Sequence, residues 1–118
     1  MANKNILVVE DELLVALVYQ QFLSIKGYLI EGPFMTGKEA IDFVEKNTFS
    51  AALIDIQLDD DISGIQVAEK IRELSDVPII FTTGNDSLKT EDASLHIYNS
   101  YVLPKPVDFK ELMRILEA

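Results

Sequence analysis

Near its beginning the chain contains the segment Ile6-Leu7-Val8-Val9-Glu10-Asp11-Glu12, in which four apolar residues are followed directly by three carboxylates. Four more short apolar runs follow along the chain, at residues 28–30, 51–54, 78–81 and 101–103. Continuous apolar runs of this kind are typical of strands that are buried on both faces of a parallel sheet. The sequence therefore predicts five such strands.

Segments with helical spacing separate the apolar runs. The first of these segments has an apolar face formed by Leu14, Val18, Phe22 and Ile25, and the last has one formed by Leu112, Ile115 and Leu116. Three helix starts carry the pattern of a capping box, namely Thr36 with Glu39, Ser63 with Gln66, and Asp108 with Glu111. Gly27 is expected to end the first helix. A fourth helix is predicted within residues 86–96, where few apolar residues are available to anchor it.

The alternation of strands and helices predicts the fold class. Five alternations in 118 residues indicate an α/β, flavodoxin-like fold. In it a doubly wound, five-stranded parallel sheet has the order 2-1-3-4-5 and helices on both faces. The length suits one core, so we expect a single domain over residues 1–118.

Composition excludes several classes of protein. The absence of cysteine excludes disulfide scaffolds, thiolate zinc sites and cysteine nucleophiles. A formal charge of −10 disfavours direct binding of nucleic acid or of anionic membranes. The longest apolar run, residues 13–19, is too short to span a bilayer, and the early carboxylates do not suit a signal peptide. We therefore expect a cytoplasmic protein.

Polar side chains follow the predicted strands, at the edge where open α/β sheets bind ligands. They are Glu10, Asp11 and Glu12 after the first strand, Asp55 after the third, Thr82 and Thr83 after the fourth, and Lys105 after the fifth. Repulsion within a cluster of carboxylates either raises the pKa of one of them or favours the binding of a cation. A hard ion such as Mg²⁺ prefers oxygen ligands. An ionised Asp attacks phosphorus without a general base, so the site indicates an aspartyl phosphate held by Thr and Lys.

Four fragments of the sequence carry a family resemblance. They are Ile6-Leu7-Val8-Val9-Glu10-Asp11-Glu12, Ala51-Ala52-Leu53-Ile54-Asp55-Ile56, Val77-Pro78-Ile79-Ile80-Phe81-Thr82-Thr83-Gly84 and Leu103-Pro104-Lys105-Pro106. In this order and at this spacing, they resemble the response-regulator receiver domains of two-component signalling, the CheY-like superfamily. The resemblance covers essentially the whole chain. It implies a signalling domain that is switched by phosphorylation.

The resemblance also implies which residues bind the metal ion and accept the phosphoryl group. Asp55 would be the phosphoacceptor. Glu10 and Asp11 would form the acidic pair that holds Mg²⁺, with Asp11 as the direct ligand. Asp55 and the backbone carbonyl of Gln57 would complete the metal site.

Two further roles follow from the resemblance. Thr83, rather than Thr82, would supply the switch hydroxyl, because it is the sixth residue counted from Pro78. Lys105 would bind the phosphoryl group, and its peptide bond to Pro106 would be cis. The domain would accept the group from a histidine kinase or a phosphotransfer protein, and small phosphodonors should also work. It would assist its own phosphorylation and dephosphorylation without being an enzyme. Its surface around helix 4, strand 5 and helix 5 would signal to a downstream protein.

Three features depart from the family pattern. Gly64 lies nine residues beyond Asp55 rather than eight, so the loop that contains residues 59–61 is one residue longer. The usual position of the switch aromatic is occupied by Val102, and strand alternation would turn Tyr101 to the opposite face. Glu10 replaces the Asp that is often the first acid of the pair, which is a mild change because either carboxylate can hold a metal-bound water.

Other interpretations remain open from the sequence. The fold could serve only as a docking surface, as a pseudo-receiver, or the Asp could belong to a Mg²⁺-dependent phosphatase. Against a phosphatase, the position two residues beyond Asp55 is Gln57 rather than a second acid. Residues 32–39 nearly form a nucleotide-binding P-loop, but Glu39 stands where that motif needs Ser or Thr. The acidic loop at residues 59–61 is either a solvated loop or a second cation site.

Overall fold

A central sheet organises the fold. The computed structural model describes residues 4–58, 60–84 and 97–118, and these contain five parallel strands in the order β2-β1-β3-β4-β5. The strands are β1 (Asn5–Val9), β2 (Leu29–Phe34), β3 (Ala51–Asp55), β4 (Ile79–Thr83) and β5 (Ser100–Pro104). Each apolar run of the sequence has become a strand, so the predicted fold class and strand order are confirmed.

Helices cover both faces of this sheet, as predicted. They are α1 (Leu13–Ile25), α2 (Gly37–Lys46), α3 (Gly64–Leu74) and the C-terminal helix (Phe109–Leu116). One core lies between the sheet and α2 with α3, and it contains Leu7 and Val67. The other lies under α1 and the C-terminal helix, and it contains Val8 and Leu23. Because neighbouring residues of β1 enter different cores, this strand is buried on both faces.

Strand β2 lies at an edge of the sheet and is longer than its apolar run predicts. It continues to Phe34 through Gly32 and Pro33, and it is only partly buried. One extra residue relative to β1 makes a bulge there, and the Gly32–Pro33 peptide bond is cis. Gly32 has a φ of +101°, and a Cβ at this position would lie 2.9 Å from the carbonyl oxygen of Val8. Gly and Pro are unusual inside strands, so the sequence does not predict this extension, but an edge strand accommodates both at a bulge.

The predicted capping signals mark helix boundaries, although only one forms a complete box. Ser63 and Gln66 exchange side-chain-to-backbone hydrogen bonds of 2.8 and 3.3 Å at the start of α3. Thr36 caps α2 by accepting from the Glu39 N–H, but the Glu39 carboxylate accepts from the Thr36 hydroxyl rather than from its backbone. Gly27 follows α1 with a φ of +95°, as expected for a helix stop.

The C-terminal helix has the predicted apolar face but lacks the predicted capping box of Asp108 with Glu111. Asp108 accepts a hydrogen bond from the Lys110 N–H at 2.9 Å, whereas the Glu111 carboxylate pairs with Arg114. The buried residues of the helix are those of the predicted face, Leu112, Ile115 and Leu116. Burial of that face is therefore what holds the helix on the sheet.

Helix α1 does not pack through the apolar face that the sequence suggested. Its buried residues are Ala16, Tyr19 and Leu23, whereas three of the four predicted face residues are exposed: Leu14 by 78%, Val18 by 52% and Ile25 by 72%. The helix is apolar around nearly its whole circumference, so periodicity alone could not identify the buried side. The small side chain of Ala16 lets the helix approach the sheet closely on the side that is buried.

Part of the prediction falls outside the described residues. The helix predicted within residues 86–96 lies there, and so does Asp59. The longest of the described helices is α1, with 13 residues, and none of them has both the length and the apolarity that a bilayer span requires.

Candidate functional site

The carboxyl ends of four strands meet at one edge of the sheet and bring the predicted site residues together. Glu10 and Asp11 follow β1, Asp55 is the last residue of β3, Thr83 ends β4 and Lys105 follows β5. The Lys105 N–H donates to the Thr83 carbonyl at 2.7 Å, which fixes the start of the last loop against β4. This is the edge at which open α/β sheets bind their ligands.

Three carboxylates lie close enough to share one cation. One oxygen from each of Glu10, Asp11 and Asp55 lies within 4.8 Å of the others. Glu10 is fully buried and Asp55 is 6% exposed, so neither is well solvated. Like charges at this spacing repel strongly in a partly dry site unless positive charge lies among them.

Lys105 supplies that positive charge. Its Nζ lies 2.9 Å from Glu10 Oε1 and 2.9 Å from Asp55 Oδ2, and 3.6 Å from a carboxylate oxygen of Glu12. Burial by itself would lower the pKa of Lys105, but the carboxylates of Glu10 and Asp55 raise it above its ordinary value. The ammonium is therefore fixed as a permanent cation between two strand ends.

Glu10 is the least ordinary acid of the group. Burial raises its pKa to about 7, although Lys105 and the Glu12 N–H oppose this increase. Its Oε2 accepts from the Glu12 N–H at 3.0 Å. Its Oε1 is buried and has no hydrogen bond of good geometry within the described part of the chain, even though Lys105 Nζ is near. A buried carboxylate oxygen in this condition is well suited to a cation or to a cation-bound water.

The donor set fits a hard divalent cation. Glu10, Asp11 and Asp55 offer only carboxylate oxygens, which are the ligands that Mg²⁺ prefers. Gln57 lies beside them in the same cleft, and its N–H donates to Asp55 Oδ1 at 3.1 Å. The carbonyl of Gln57 as a further ligand stays a prediction.

The site opens into a cleft of about 820 Å³. The residues that line it include Asp11, Asp55, Gln57, Leu58 and Lys105. We call the segment at residues 56–63, between β3 and α3, the acceptor loop. Asp55 is thus nearly buried in the protein, yet it borders a space that a phosphoryl donor can enter.

Gly64 fixes the end of the acceptor loop against β3. Its N–H donates to the Ile56 carbonyl at 2.9 Å, and a Cβ at this position would overlap the carbonyl oxygen of Asp55. The longer loop inferred from the sequence therefore still returns to the strand at a glycine. No side chain fits there unless the end of β3 moves.

Replacement of Gly64 should be costly. We expect Gly64→Ala to lower the free energy of unfolding by about 1–3 kcal/mol, because the added methyl group must displace the backbone at Asp55. Urea unfolding measures the change. Gly84→Ala is the matched control: its Cβ would meet nothing within 4 Å among the residues that the structure describes, and we expect a change below about 0.5 kcal/mol. Equal effects of the two substitutions would contradict this interpretation.

Asp60 ties the acceptor loop to helix α2. Its two carboxylate oxygens accept from the N–H groups of Gly37 and Lys38, each at 3.1 Å. Partial burial would raise the pKa of Asp60, but these backbone hydrogen bonds lower it below its usual value. Ile62 packs so closely on the start of α2 that a Cβ at Gly37 would lie 2.6 Å from its side chain.

This contact also bears on the P-loop alternative raised by the sequence. In a P-loop, the first N–H groups of the helix bind a phosphate group. Here the N–H groups of Gly37 and Lys38 bind the carboxylate of Asp60 instead. The P-loop-like segment is therefore a helix start capped by an internal anion. The same hydrogen bonds give Asp60 a structural role, and the second cation site considered for residues 59–61 stays a prediction.

The two threonines at the end of β4 point to opposite faces of the sheet. Thr82 is fully buried, on the same side as Ile80, whose side chain belongs to the core under α1. Thr83 is half-buried at the end of the strand, and the next residue, Gly84, lines the cleft. Of the two threonines, Thr83 is therefore the less buried, and it directly precedes a residue of the cleft.

Tyr19 is a neighbour of the site that the sequence pattern does not predict. It lies on α1 with 3% of its surface exposed, and its ring packs edge-on against Phe109 with the centroids 6.4 Å apart. Burial, and next the negative charge of Glu10, raise the pKa of Tyr19 to about 12, with Lys105 acting in the opposite direction. A neutral phenol therefore lies close to the buried acid and the lysine. In the sequence, the signal is a tyrosine that directly follows the aliphatic run of residues 13–18.

Strand β5 has the side-chain orientation that alternation predicts. Val102 packs against the core that contains α2 and α3, whereas Leu103 is buried in the other core. Tyr101 is two residues from Leu103 and so lies on that side of the sheet, 40% exposed. The Lys105–Pro106 peptide bond is cis, as the resemblance implied.

Comparison with families and with curated proteins identifies relatives of this chain. Residues 6–117 match the family model described as the response regulator receiver domain. The Bacillus subtilis YkoG, an uncharacterized transcriptional regulatory protein, is 31% identical over 119 residues, which is 100% of this chain and 51% of that protein. The regulatory protein VanR of Enterococcus faecium is 31% identical over 116 residues, or 98% and 49% of the two chains. The chain thus spans about half the length of the curated relatives it matches.

Comparison with solved structures agrees with the match to the family model. A CheY-like response regulator receiver domain protein from Methanospirillum hungatei superposes with a TM-score of 0.86 at 30% identity, covering 98% of this chain and 92% of that one. The receiver domain of a Pseudomonas aeruginosa sensor histidine kinase, solved with a magnesium ion coordinated in its active-site cleft, superposes with a TM-score of 0.85. It is 30% identical, and the alignment covers 98% of this chain and 96% of that one.

Proposed function

Because the chain belongs to the response regulator receiver domain family, we propose that Asp55 accepts a phosphoryl group in a Mg²⁺-dependent reaction. The donor is a phosphohistidine on a histidine kinase or a phosphotransfer protein. The observation that carries this proposal is the Lys105 ammonium, 2.9 Å from both Glu10 and Asp55 in a cleft that also contains Asp11. Buried acids that converge on a fixed cation beside an accessible cleft suit the transfer of an anionic group.

The chemistry follows from how Asp55 is held. Oδ1 accepts from the Gln57 N–H and Oδ2 from Lys105 Nζ, so the carboxylate is fixed in orientation. In the transfer, an oxygen of Asp55 forms a bond to phosphorus while the phosphorus–nitrogen bond to the donor imidazole breaks. The electron pair of that bond leaves with the imidazole, whose other nitrogen carries a proton during the transfer, so the histidine ends as the neutral ring. Lys105 then offers its charge to the added phosphoryl oxygens.

Glu10, Asp11, Asp55 and the carbonyl of Gln57 would hold Mg²⁺. When it is bound, the ion supplies positive charge at the phosphoryl oxygens and offsets the repulsion between acids and donor. The test is the intact mass after incubation with acetyl phosphate, with Mg²⁺ or with a chelator. We expect one added phosphoryl group with Mg²⁺ only. No adduct, together with no Mg²⁺-dependent binding of beryllofluoride, would overturn the proposal.

Thr83 is proposed to report the phosphorylation to the rest of the domain. We expect Thr83→Ala to be phosphorylated normally but to show smaller backbone chemical-shift changes on addition of beryllofluoride, because the proposed switch hydroxyl is missing. Two-dimensional amide spectra measure these changes. Thr83→Ser retains the hydroxyl and should respond like the wild type. A Thr83→Ala variant with the full response would refute the switch role.

The competing functions find less support. A pseudo-receiver that acts only by docking does not require acids and lysine in one cleft, yet Glu10, Asp55 and Lys105 are in direct contact. A phosphatase would need a second acid two residues beyond the nucleophile, where Gln57 donates its N–H to Asp55. We therefore propose a signalling domain that is not an enzyme and that assists only its own phosphorylation and dephosphorylation.

The partners belong to the same proposal. The two curated relatives described above are named as regulatory proteins, and this chain spans about half their length, so the output of the whole protein is not fixed by this domain. We propose that the downstream protein binds the face that includes β5 and the C-terminal helix, where Tyr101 is 40% exposed. With its charge of −10, this domain is not proposed to contact nucleic acid or a membrane directly. The cytoplasmic location expected from the sequence is part of this proposal.

A further inference from the structure

The turn that leads into helix α2 is bonded to both segments that carry the acids of the site. On one side, the Glu10 N–H donates to the Phe34 carbonyl at 2.9 Å, at the end of β2 and just before α2 begins. On the other side, the carboxylate of Asp60 accepts from the N–H groups of Gly37 and Lys38, each at 3.1 Å. A short path of hydrogen bonds and backbone therefore joins the first acid of the site to the acceptor loop.

The acceptor loop is also bonded to β3 at its two ends. The Gly64 N–H donates to the Ile56 carbonyl at 2.9 Å, and the Gln57 N–H donates to Asp55 Oδ1 at 3.1 Å. These bonds fix where the loop leaves the strand and where it returns. Because the loop is one residue longer than the receiver pattern, more conformational freedom has to be removed from the residues between. The bonds from Asp60 to α2 act on that part of the loop.

A carboxylate suits the position of Asp60. The first N–H groups of a helix have no partner within the helix and carry partial positive charge, so an ionised side chain stabilises them. Burial raises the pKa of Asp60, but backbone N–H groups of α2 and of the acceptor loop lower it below its usual value. Ile62 packs against Gly37 beside this contact. The loop is therefore held to α2 by one charged contact and one apolar contact.

We propose that Asp60 is a positioning residue for the magnesium site: it ties the acceptor loop to α2 and thereby sets the place of the Gln57 carbonyl relative to Glu10 and Asp11. The inference rests on the proposed function, since it requires Mg²⁺ to bind with the Gln57 carbonyl as a ligand. Asp60 acts through the loop, because both of its carboxylate oxygens accept from α2. Groups that hold the ligands of a metal ion in place contribute strongly to its affinity.

Mg²⁺ titration of the full chain, followed by amide chemical shifts, tests the proposal. Asp60→Ala removes both acceptor oxygens, whereas Asp60→Asn removes the same charge but retains one oxygen that can accept from α2. We expect the Mg²⁺ dissociation constant to rise about tenfold in Asp60→Ala and about threefold in Asp60→Asn.

Asp61→Ala is the matched control. Asp61 is exposed and lines the same cleft, so its removal takes away an equal charge near the site and leaves the bonds to α2 in place. We expect a change in the Mg²⁺ dissociation constant of less than about twofold, because exposed charges are well screened. If Asp60→Ala does not fold, the comparison of Asp60→Asn with Asp61→Ala carries the test.

Two further measurements separate positioning from stability. In the metal-free domain, we expect the Gln57 amide to exchange its hydrogen faster in Asp60→Ala than in Asp61→Ala, because the loop is less restrained. Urea unfolding measures the loss of stability, and a purely structural role would lower the free energy of unfolding without changing the Mg²⁺ dissociation constant of the folded domain. Equal Mg²⁺ binding by the Asp60 variants and Asp61→Ala would contradict this inference and leave the proposed function standing. A wild type that binds no Mg²⁺ would overturn both.

Discussion

Asp55→Asn should gain no mass from acetyl phosphate, whereas the wild type gains one phosphoryl group. The amide differs little in size from the carboxylate, so the side chain still fits a site where only 6% of it is exposed. It has no negative charge, however, and an amide oxygen is a poor nucleophile toward phosphorus. The variant also loses charge in the ion pair with Lys105 Nζ, which lies at 2.9 Å. We therefore expect a complete loss of adduct rather than a slower reaction.

The control for this experiment is Asp76→Asn. Asp76 is exposed before the start of β4, at the opposite edge of the sheet from the site, so the same change of residue should leave the adduct intact. Intact mass is read at several times, with Mg²⁺ and with a chelator. If the wild type shows no adduct but binds beryllofluoride with Mg²⁺, the phosphoryl group is hydrolysed faster than it is detected. An adduct on Asp55→Asn would place the acceptor at another residue.

The sheet and the site could be predicted from the sequence because both depend on local pattern and chain order. The run that ends at Asp55 had to be a central strand, since it is continuously apolar and ends in a charge. Once the strands are parallel, their carboxyl ends share one edge. Residues as distant in sequence as Asp55 and Lys105 then meet without further information, and their side chains lie 2.9 Å apart.

Other features could not be predicted, because they depend on packing between elements. Helix α1 is apolar on nearly every side, so nothing in its periodicity identified Ala16 and Leu23 as the buried residues. Asp60 resembled its acidic neighbours in sequence, and only the approach of the acceptor loop to α2 gives it two backbone partners. The extension of β2 through Gly32 depends on its position at the edge of the sheet, which the apolar run did not reveal.

Replacement of Lys105 by methionine should destabilise the metal-free domain and tighten its binding of Mg²⁺. Lys105 Nζ lies 2.9 Å from Glu10, whose side chain is fully buried, and removal of one partner from a buried pair costs about 3–5 kcal/mol. Methionine is close to lysine in length, so the loss is one of charge rather than of packing. Bound Mg²⁺ would compete with this ammonium for Glu10 and Asp55. Without Lys105, we expect the Mg²⁺ dissociation constant to fall at least about tenfold.

Urea unfolding with and without Mg²⁺ measures both effects in one series. Lys110→Met is the control, since Lys110 is exposed on the C-terminal helix and its loss should change the free energy of unfolding by less than about 0.5 kcal/mol. Saturating Mg²⁺ should restore much of the stability of Lys105→Met, because the ion replaces the missing positive charge among Glu10, Asp11 and Asp55. If Mg²⁺ instead binds more weakly to Lys105→Met, the lysine organises the acids for the ion rather than competing with it. The acids would then not be preformed as a cation site, and the balance of charge inferred from these distances would be wrong.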